Sequence, residues 1–183
     1  MAVNRVERLV RRVSKALEKI RIPYAVVGGN AVAAWVATVD EDAVRATKDV
    51  DILVRRADLP TITAALNRLG LMPVEVLGVV MFVDRRRPNP RSGVHLLLAG
   101  ERVRSDHRHA APDPSNCRKS GAGFFIVDLP QLLAMKLQAF RDLDRVHVRD
   151  LMGVGLITND IAATLPSDLR KRLQQIQDTF ESE

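Results

Sequence analysis

The sequence is poor in cysteine and in aromatic rings. Cys117 is its single cysteine, which excludes an internal disulfide and any multi-cysteine zinc ribbon. Aromatic side chains make up 4% of the 183 residues, so a base-stacking platform for single-stranded nucleic acid is poorly supplied. No Gly-x-Ser-x-Gly, Walker A or Rossmann glycine pattern occurs, and there is no internal repeat. Long apolar runs are scarce too. Residues 22–39 carry no charge and follow basic residues, but Pro23, Gly28-Gly29 and Asn30 interrupt them. A strand, a turn and a helix account for that pattern better than one membrane-spanning helix. A cytoplasmic protein with no membrane partner is expected.

What is present is globular: 46% hydrophobic and 27% charged residues, enough to bury one core. The 28 Lys+Arg outnumber the 22 Asp+Glu, for a formal charge of +6. That excess attracts RNA, DNA or nucleotide phosphates and disfavours polycationic antibiotics. An arginine-rich proteome would give the same charge with no such partner.

Val6, Leu9, Val10, Val13, Leu17 and Ile20 recur at helical spacing and predict an amphipathic first helix. Residues 24–27 read as a buried strand entering a Gly-Gly turn, and residues 31–39 as an alanine-rich helix. After a charged loop, Val50, Ile52 and Val54 alternate with Asp49, Asp51 and Leu53, a second strand with two acids on one face. Pro60 and Gly70 bracket a helix over 59–69. Residues 74–83, broken at Gly78, supply one or two strands. A basic turn over 85–91 and a strand over 94–99 follow. Residues 101–123 are a long irregular excursion, 124–127 a short strand, and helices follow over 132–140, 147–156 and 166–180. This order predicts an α/β or α+β chain, with a core over residues 1–128 and a helical part over 129–183 packed on it.

The chemistry concentrates in Gly28-Gly29-Asn30 and, about twenty residues on, Arg45-Ala46-Thr47-Lys48-Asp49-Val50-Asp51-Ile52. Carboxylates two apart on a strand share a face roughly 6.5–7 Å from each other and repel. A divalent ion with hard oxygen ligands offsets that repulsion, and Mg²⁺ keeps positions open for phosphate oxygens. An exposed face neutralised by Lys48 and Arg45 is the alternative. Two glycines at a strand-to-helix turn add a phosphate cradle, because backbone N–H groups and the helix dipole lie open there. Cradle and dicarboxylate together are the minimal equipment for moving a nucleotidyl group.

These residues resemble the signature of the polymerase-beta-like nucleotidyltransferase superfamily, closest to its small bacterial branch of abortive-infection and toxin–antitoxin enzymes. Asp128-Leu129-Pro130, Lys136-Leu137-Gln138-Ala139-Phe140-Arg141, Arg145 and Arg149-Asp150-Leu151 also resemble that branch. The resemblance spans residues 23–152. It implies a small mixed sheet flanked by helices, an NTP substrate, and one or two Mg²⁺ held by Asp49 and Asp51. It implies triphosphate binding at Gly28 and Gly29, with Asn30 beside them. Arg45 and Thr47 would contact phosphate or brace the carboxylates. Lys136 would neutralise phosphate charge, although a surface lysine whose stem covers an apolar helix face fits the same pattern. A cognate antitoxin or other protein partner is a further implication.

The chain departs from the superfamily at its usual third carboxylate. His95 stands on the strand where that acid is expected, and either serves as general base or is an ordinary strand histidine. Glu101 is the alternative acid. The expected function is therefore Mg²⁺-dependent transfer of a nucleoside monophosphate to a hydroxyl of RNA or protein, in preference to a small molecule. The rivals are an inactive protein of the same fold that binds nucleotide, RNA or a protein, and a basic nucleic-acid-binding module. Arg85 to Arg87, Arg102, Arg104, Arg108, Arg118 and Lys119 are expected to flank one cleft. His107-x-His109 with Cys117 has only loose metal-ligand spacing.

Overall fold

The computed structural model describes residues 2–76 and 78–180, without the side chains of residues 2–4 and 91. Of the basic turn expected over 85–91, Arg91 therefore has its side chain outside the described residues. The order is α1 (Ala2–Lys19), β1 (Ala25–Val27), α2 (Gly28–Val36), β2 (Val50–Val54), α3 (Leu59–Arg68), β3 (Leu71–Val76), β4 (Val79–Asp84), β5 (Val94–Leu98), β6 (Cys117–Lys119), β7 (Phe125–Val127), α4 (Leu129–Ala139), α5 (Asp142–Gly153), α6 (Asn159–Thr164) and α7 (Ser167–Phe180). The seven strands form one mixed sheet in the order β3-β4-β5-β2-β1-β7-β6. The expected α/β class with a helical C-terminal third is what the chain adopts.

The central strands are the apolar ones. Ala25, Val26 and Val27 of β1 and Ile52, Leu53 and Val54 of β2 are wholly buried, as strands covered on both faces must be. α1 packs its apolar stripe on α3 and β2, while α2 packs on β1 and β2 and on α4 and α5. Leu129, Leu132 and Leu151 of the C-terminal helices share one cluster with the sheet residues. A second cluster, Leu133, Leu137, Val148, Leu165, Leu169, Leu173 and Ile176, ties α4, α5 and α7 together. At about 25 cal/mol per Å² of buried apolar surface, such contacts fix α4 and α5 beside α2.

Local details differ from expectation in three places. β1 runs straight into α2 at Gly28, so the glycines open the helix and do not form a separate turn. β2 begins at Val50, which leaves Asp49 just before the strand. The excursion over 101–123 contains β6, antiparallel to β7, and is pinned elsewhere. Gln138 of α4 accepts from the His109 N–H at 2.6 Å and donates to the His109 carbonyl at 2.7 Å. Arg55 holds Asp113 through both carboxylate oxygens.

Candidate active site

The sheet register assembles the site. Asp51 lies opposite Val27 across the antiparallel β1/β2 pair and opposite His95 across the parallel β2/β5 pair. Residues far apart in sequence thus meet at one end of three adjacent strands. Gly28 follows Val27 directly with φ +66°, a conformation that side chains rarely adopt. A Cβ on Gly28 would also run into Asp51 Oδ2. Glycine is required there by backbone and by neighbour alike. A Cβ on Gly29 would lie 2.8 Å from Thr47 Oγ1 and 3.5 Å from His147 Cε1. The close approach at Gly29 is therefore made by Thr47 and His147.

Asn30 is buried and donates from Nδ2 to the Asp49 carbonyl at 2.6 Å, tying the first turn of α2 to the start of β2. No side chain caps α2, whose N-cap is Val27, so its first backbone N–H groups stay free for an anion. The Asp49 carboxylate is exposed and makes no hydrogen bond or ion pair among the described residues. Arg45 instead forks onto Asp150 of α5, with both bonds at 2.9 Å, which raises the guanidinium pKa. It braces the loop before β2 and leaves both acids of the pair without its charge.

His95 Nδ1 is 3.2 Å from Asp51 Oδ1, and Nε2 is 3.1 Å from the Pro90 carbonyl. The hydrogen bond to Asp51 raises the pKa of His95, against the effect of burial, and Pro90 adds to the rise. An imidazolium donates to both oxygens at once. Both ring nitrogens are engaged in this arrangement, so His95 stands as the hydrogen-bond partner of Asp51. Glu101, the alternative acid, lines the same cleft but is engaged by another residue. From His95 to Leu98 the strand climbs roughly 10 Å, and Glu101 lies past that end, held bidentately by Arg56 at 2.5 and 2.7 Å.

Lys136 is 6% exposed, so the surface reading of this lysine is overturned. Its Nζ donates to Asp144 Oδ1 at 2.9 Å, and Arg141 Nε donates to Asp144 Oδ2 at 2.7 Å. Burial pushes the Asp144 carboxyl up, but the bond from Arg141 and the charge of Lys136 outweigh it and keep it ionised. The hydrogen bond to Asp144 raises Arg141, and the nearby Asp51 and Asp49 charges raise it further. Arg141 therefore looks onto the acid pair. Gly28, Asp51, His95, Lys136, Arg141 and Asp144 line one cleft of about 450 Å³.

His147 of α5 is the residue that sequence reasoning missed. It is 6% exposed, and its Nδ1 is sealed off with no partner among the described residues. Burial, helped by the Lys136 charge, pushes its pKa down to about 4, which keeps the ring neutral. Asp144 was equally silent in the sequence; a signal existed in its spacing of three from His147 and eight from Lys136, once both helices are laid against α2. The loose metal set dissolves: His109 pairs with Asp168 at 3.2 Å, Cys117 sits on β6, and no cluster of three or more acidic, His or Cys ligands occurs among the described residues. Arg118 and Lys119 are also on β6, over Trp35 and Phe125, away from the cleft that Arg102 and Arg104 line.

Asp49 and Asp51 suit Mg²⁺, which is commonly held by one or two carboxylates and completed by substrate phosphates and water. Asp49 is unpaired and exposed, and Asp51 opens onto the cleft.

No protein-family profile matches the sequence. No curated protein matches it either. Solved structures do. The crystal structure of ANT(2'')-Ia in complex with adenylyl-2''-tobramycin aligns over 96% of this chain and 97% of its own, with TM-score 0.54 and 13% identity. The solution structure of the same antibiotic-resistance factor aligns over 100% and 94%, with TM-score 0.53 and 13% identity. An antigenic nucleotidyltransferase-like protein from Paracoccidioides brasiliensis aligns over 100% and 91%, with TM-score 0.60 and 13% identity. The chain has a nucleotidyltransferase-like fold. No helix among the described residues is long and apolar enough to cross a membrane.

Proposed function

We propose that the protein is a Mg²⁺-dependent nucleotidyltransferase that moves a nucleoside monophosphate from an NTP to a hydroxyl of RNA or protein. One observation carries the reading. An unpaired Asp49 and a cleft-facing Asp51 stand against the uncapped N-terminus of α2, on a nucleotidyltransferase-like fold. The free N–H groups at Gly28 and Gly29 bind phosphate oxygens. Asn30 keeps Asp49 at that helix end through its carbonyl, and Thr47 and Arg45 brace the loop. Lys136 and Arg141, both on the cleft, neutralise phosphate charge, with Asp144 holding the two side chains in place. Asp49 and Asp51 would hold the metal, which when bound screens charge on the phosphate oxygens.

In the transfer, the acceptor oxygen forms a bond to the α-phosphorus, the bond to the bridging oxygen of the β-phosphate breaks, and pyrophosphate leaves. The hydroxyl proton needs a base. His95 serves only after Nε2 gives up Pro90 and loses its proton, so it positions Asp51 in the resting arrangement. That double engagement favours a second reading, a protein of this fold that binds nucleotide without turnover. Placement in a toxin–antitoxin or phage-defence pair, with a cognate antitoxin, rests on the sequence resemblance.

The test is incubation with each α-labelled NTP, Mg²⁺, total RNA and lysate protein. Label transfer by the wild type that disappears in Asp49→Asn/Asp51→Asn supports the enzyme. Nucleotide binding with no transfer to either acceptor supports the second reading.

A further inference from the structure

Beyond the acid pair, the cleft continues along β5 to the loop after it, and its character changes. Val76 and Val79 at the tip of the β3–β4 hairpin and Val103 of the loop all line it. They are 41%, 37% and 41% exposed, among the few large apolar side chains left in water. No Phe, Tyr or Trp lines the cleft among the described residues. The three valines give a base no aromatic face to stack on, but they match aliphatic side chains of a polypeptide.

The charges at this end are also unusual. Arg102 lines the cleft, and its guanidinium makes no hydrogen bond or ion pair among the described residues. His107 also lines the cleft; it is 7% exposed, and its Nδ1 is sealed with no partner among the described residues. Burial lowers its pKa, and the Arg104, Arg141 and Arg172 charges act in the same sense, so the ring is neutral. Arg102 thus offers this part of the cleft a guanidinium without an acceptor among the described residues. The same loop is fixed to α4 further on, where Gln138 exchanges two hydrogen bonds with the His109 backbone.

We propose that this end of the cleft is the acceptor subsite and that the acceptor is a protein: an extended segment whose aliphatic side chains lie against Val76, Val79 and Val103 and whose Asp or Glu meets Arg102. The proposal rests on the nucleotidyl-transfer reading and selects between its two acceptor classes. The geometry sets a spacing. β5 climbs roughly 10 Å between His95 and Leu98, and an extended peptide rises about 3.3 Å per residue. The acidic residue therefore sits three or more residues from the hydroxyl presented at Asp51. Binding energy collected at this remote end holds the hydroxyl in line with the α-phosphorus. A polycationic acceptor such as an aminoglycoside is repelled from the same place.

The experiment measures binding without nucleotide, so it stands or falls separately from nucleotidyl transfer. A fluorescein-labelled random copolymer of glutamate, alanine and tyrosine is titrated with wild type, Arg102→Glu and Arg108→Glu, and labelled polyuridylate is titrated in parallel. Arg108 is exposed in the same loop but does not line the cleft. Copolymer affinity falls about tenfold or more in Arg102→Glu, the worth of a charged hydrogen bond, and much less in Arg108→Glu. Polyuridylate binding falls alike in both variants, as unspecific charge attraction does. No copolymer binding to the wild type, or equal losses in the two variants, overturns the proposal. A selective loss of polyuridylate binding in Arg102→Glu overturns it in favour of an RNA acceptor.

Discussion

The two ends of the cleft hold Asp51 and Arg102 in opposite ways. At the end near α2, Asp51 is tied to His95, and Asp144 is shared by Lys136 and Arg141. At the end near the loop after β5, Arg102 is unpaired and three valines face water. Buried charges must be paired to be tolerated, and removing one partner leaves the other stranded. Exposed unpaired groups cost the fold little and are free to bind. The paired Asp51 and Asp144 therefore couple to stability, and the Arg102 side chain does not.

Gly28→Val is the severest way to break the tied end. Positive-φ strain and overpacking against Asp51 together cost about 4 kcal/mol in denaturant unfolding. In an Asp51→Ala background the collision with the carboxylate is gone, and the strain, about 2 kcal/mol, remains with a 3.1 Å approach to the Cβ of residue 51. Lys136→Met leaves Asp144 buried with Arg141 alone and costs about 3 kcal/mol, whereas Lys136→Met with Asp144→Leu recovers most of it.

His147 sharpens the contrast through pH. Its native pKa is about 4, below the ordinary 6.5. As pH falls through 6.5 the unfolded chain takes up a proton that the native state refuses until about pH 4. Stability is therefore full above 6.5 and falls by roughly 3 kcal/mol across that window. Urea midpoints from pH 7 to 4.5 read this slope, and His147→Gln flattens it. Arg102→Gln, at the open end, shifts stability by less than about 0.5 kcal/mol at any of these pH values. A cost like that of Lys136→Met would erase the distinction between the ends.

The parts of the site that were legible in the sequence are those written in consecutive residues. Gly28-Gly29 after an apolar strand and Asp-x-Asp at the start of another are local patterns. The placement of His95 next to Asp51 was an expectation from resemblance, and the parallel β2/β5 register puts the two opposite each other. What the sequence did not carry is set by packing between distant elements. Arg45 reads as a phosphate contact or a brace for the carboxylates until α5 brings Asp150 to it. For Lys136 the sequence leaves a phosphate contact and a surface lysine both open until α5 covers it. His147 belongs to a helix face whose partner, the start of α2, lies more than a hundred residues earlier. β6 went unrecognised because three residues, two of them basic, show no period of their own, which misplaced Arg118 and Lys119 at the cleft.

The central claim is that Asp49 and Asp51, with the open end of α2, bind a magnesium-complexed nucleoside triphosphate. Thermal unfolding of the wild type and of Asp49→Asn/Asp51→Asn, each with the four NTPs and Mg²⁺, tests it directly. A nucleotide at 100 times its Kd stabilises the wild type by about 2.7 kcal/mol, and the double variant shows no shift. An unmoved wild-type midpoint with all four NTPs, or a shift that survives in the double variant, would contradict the account.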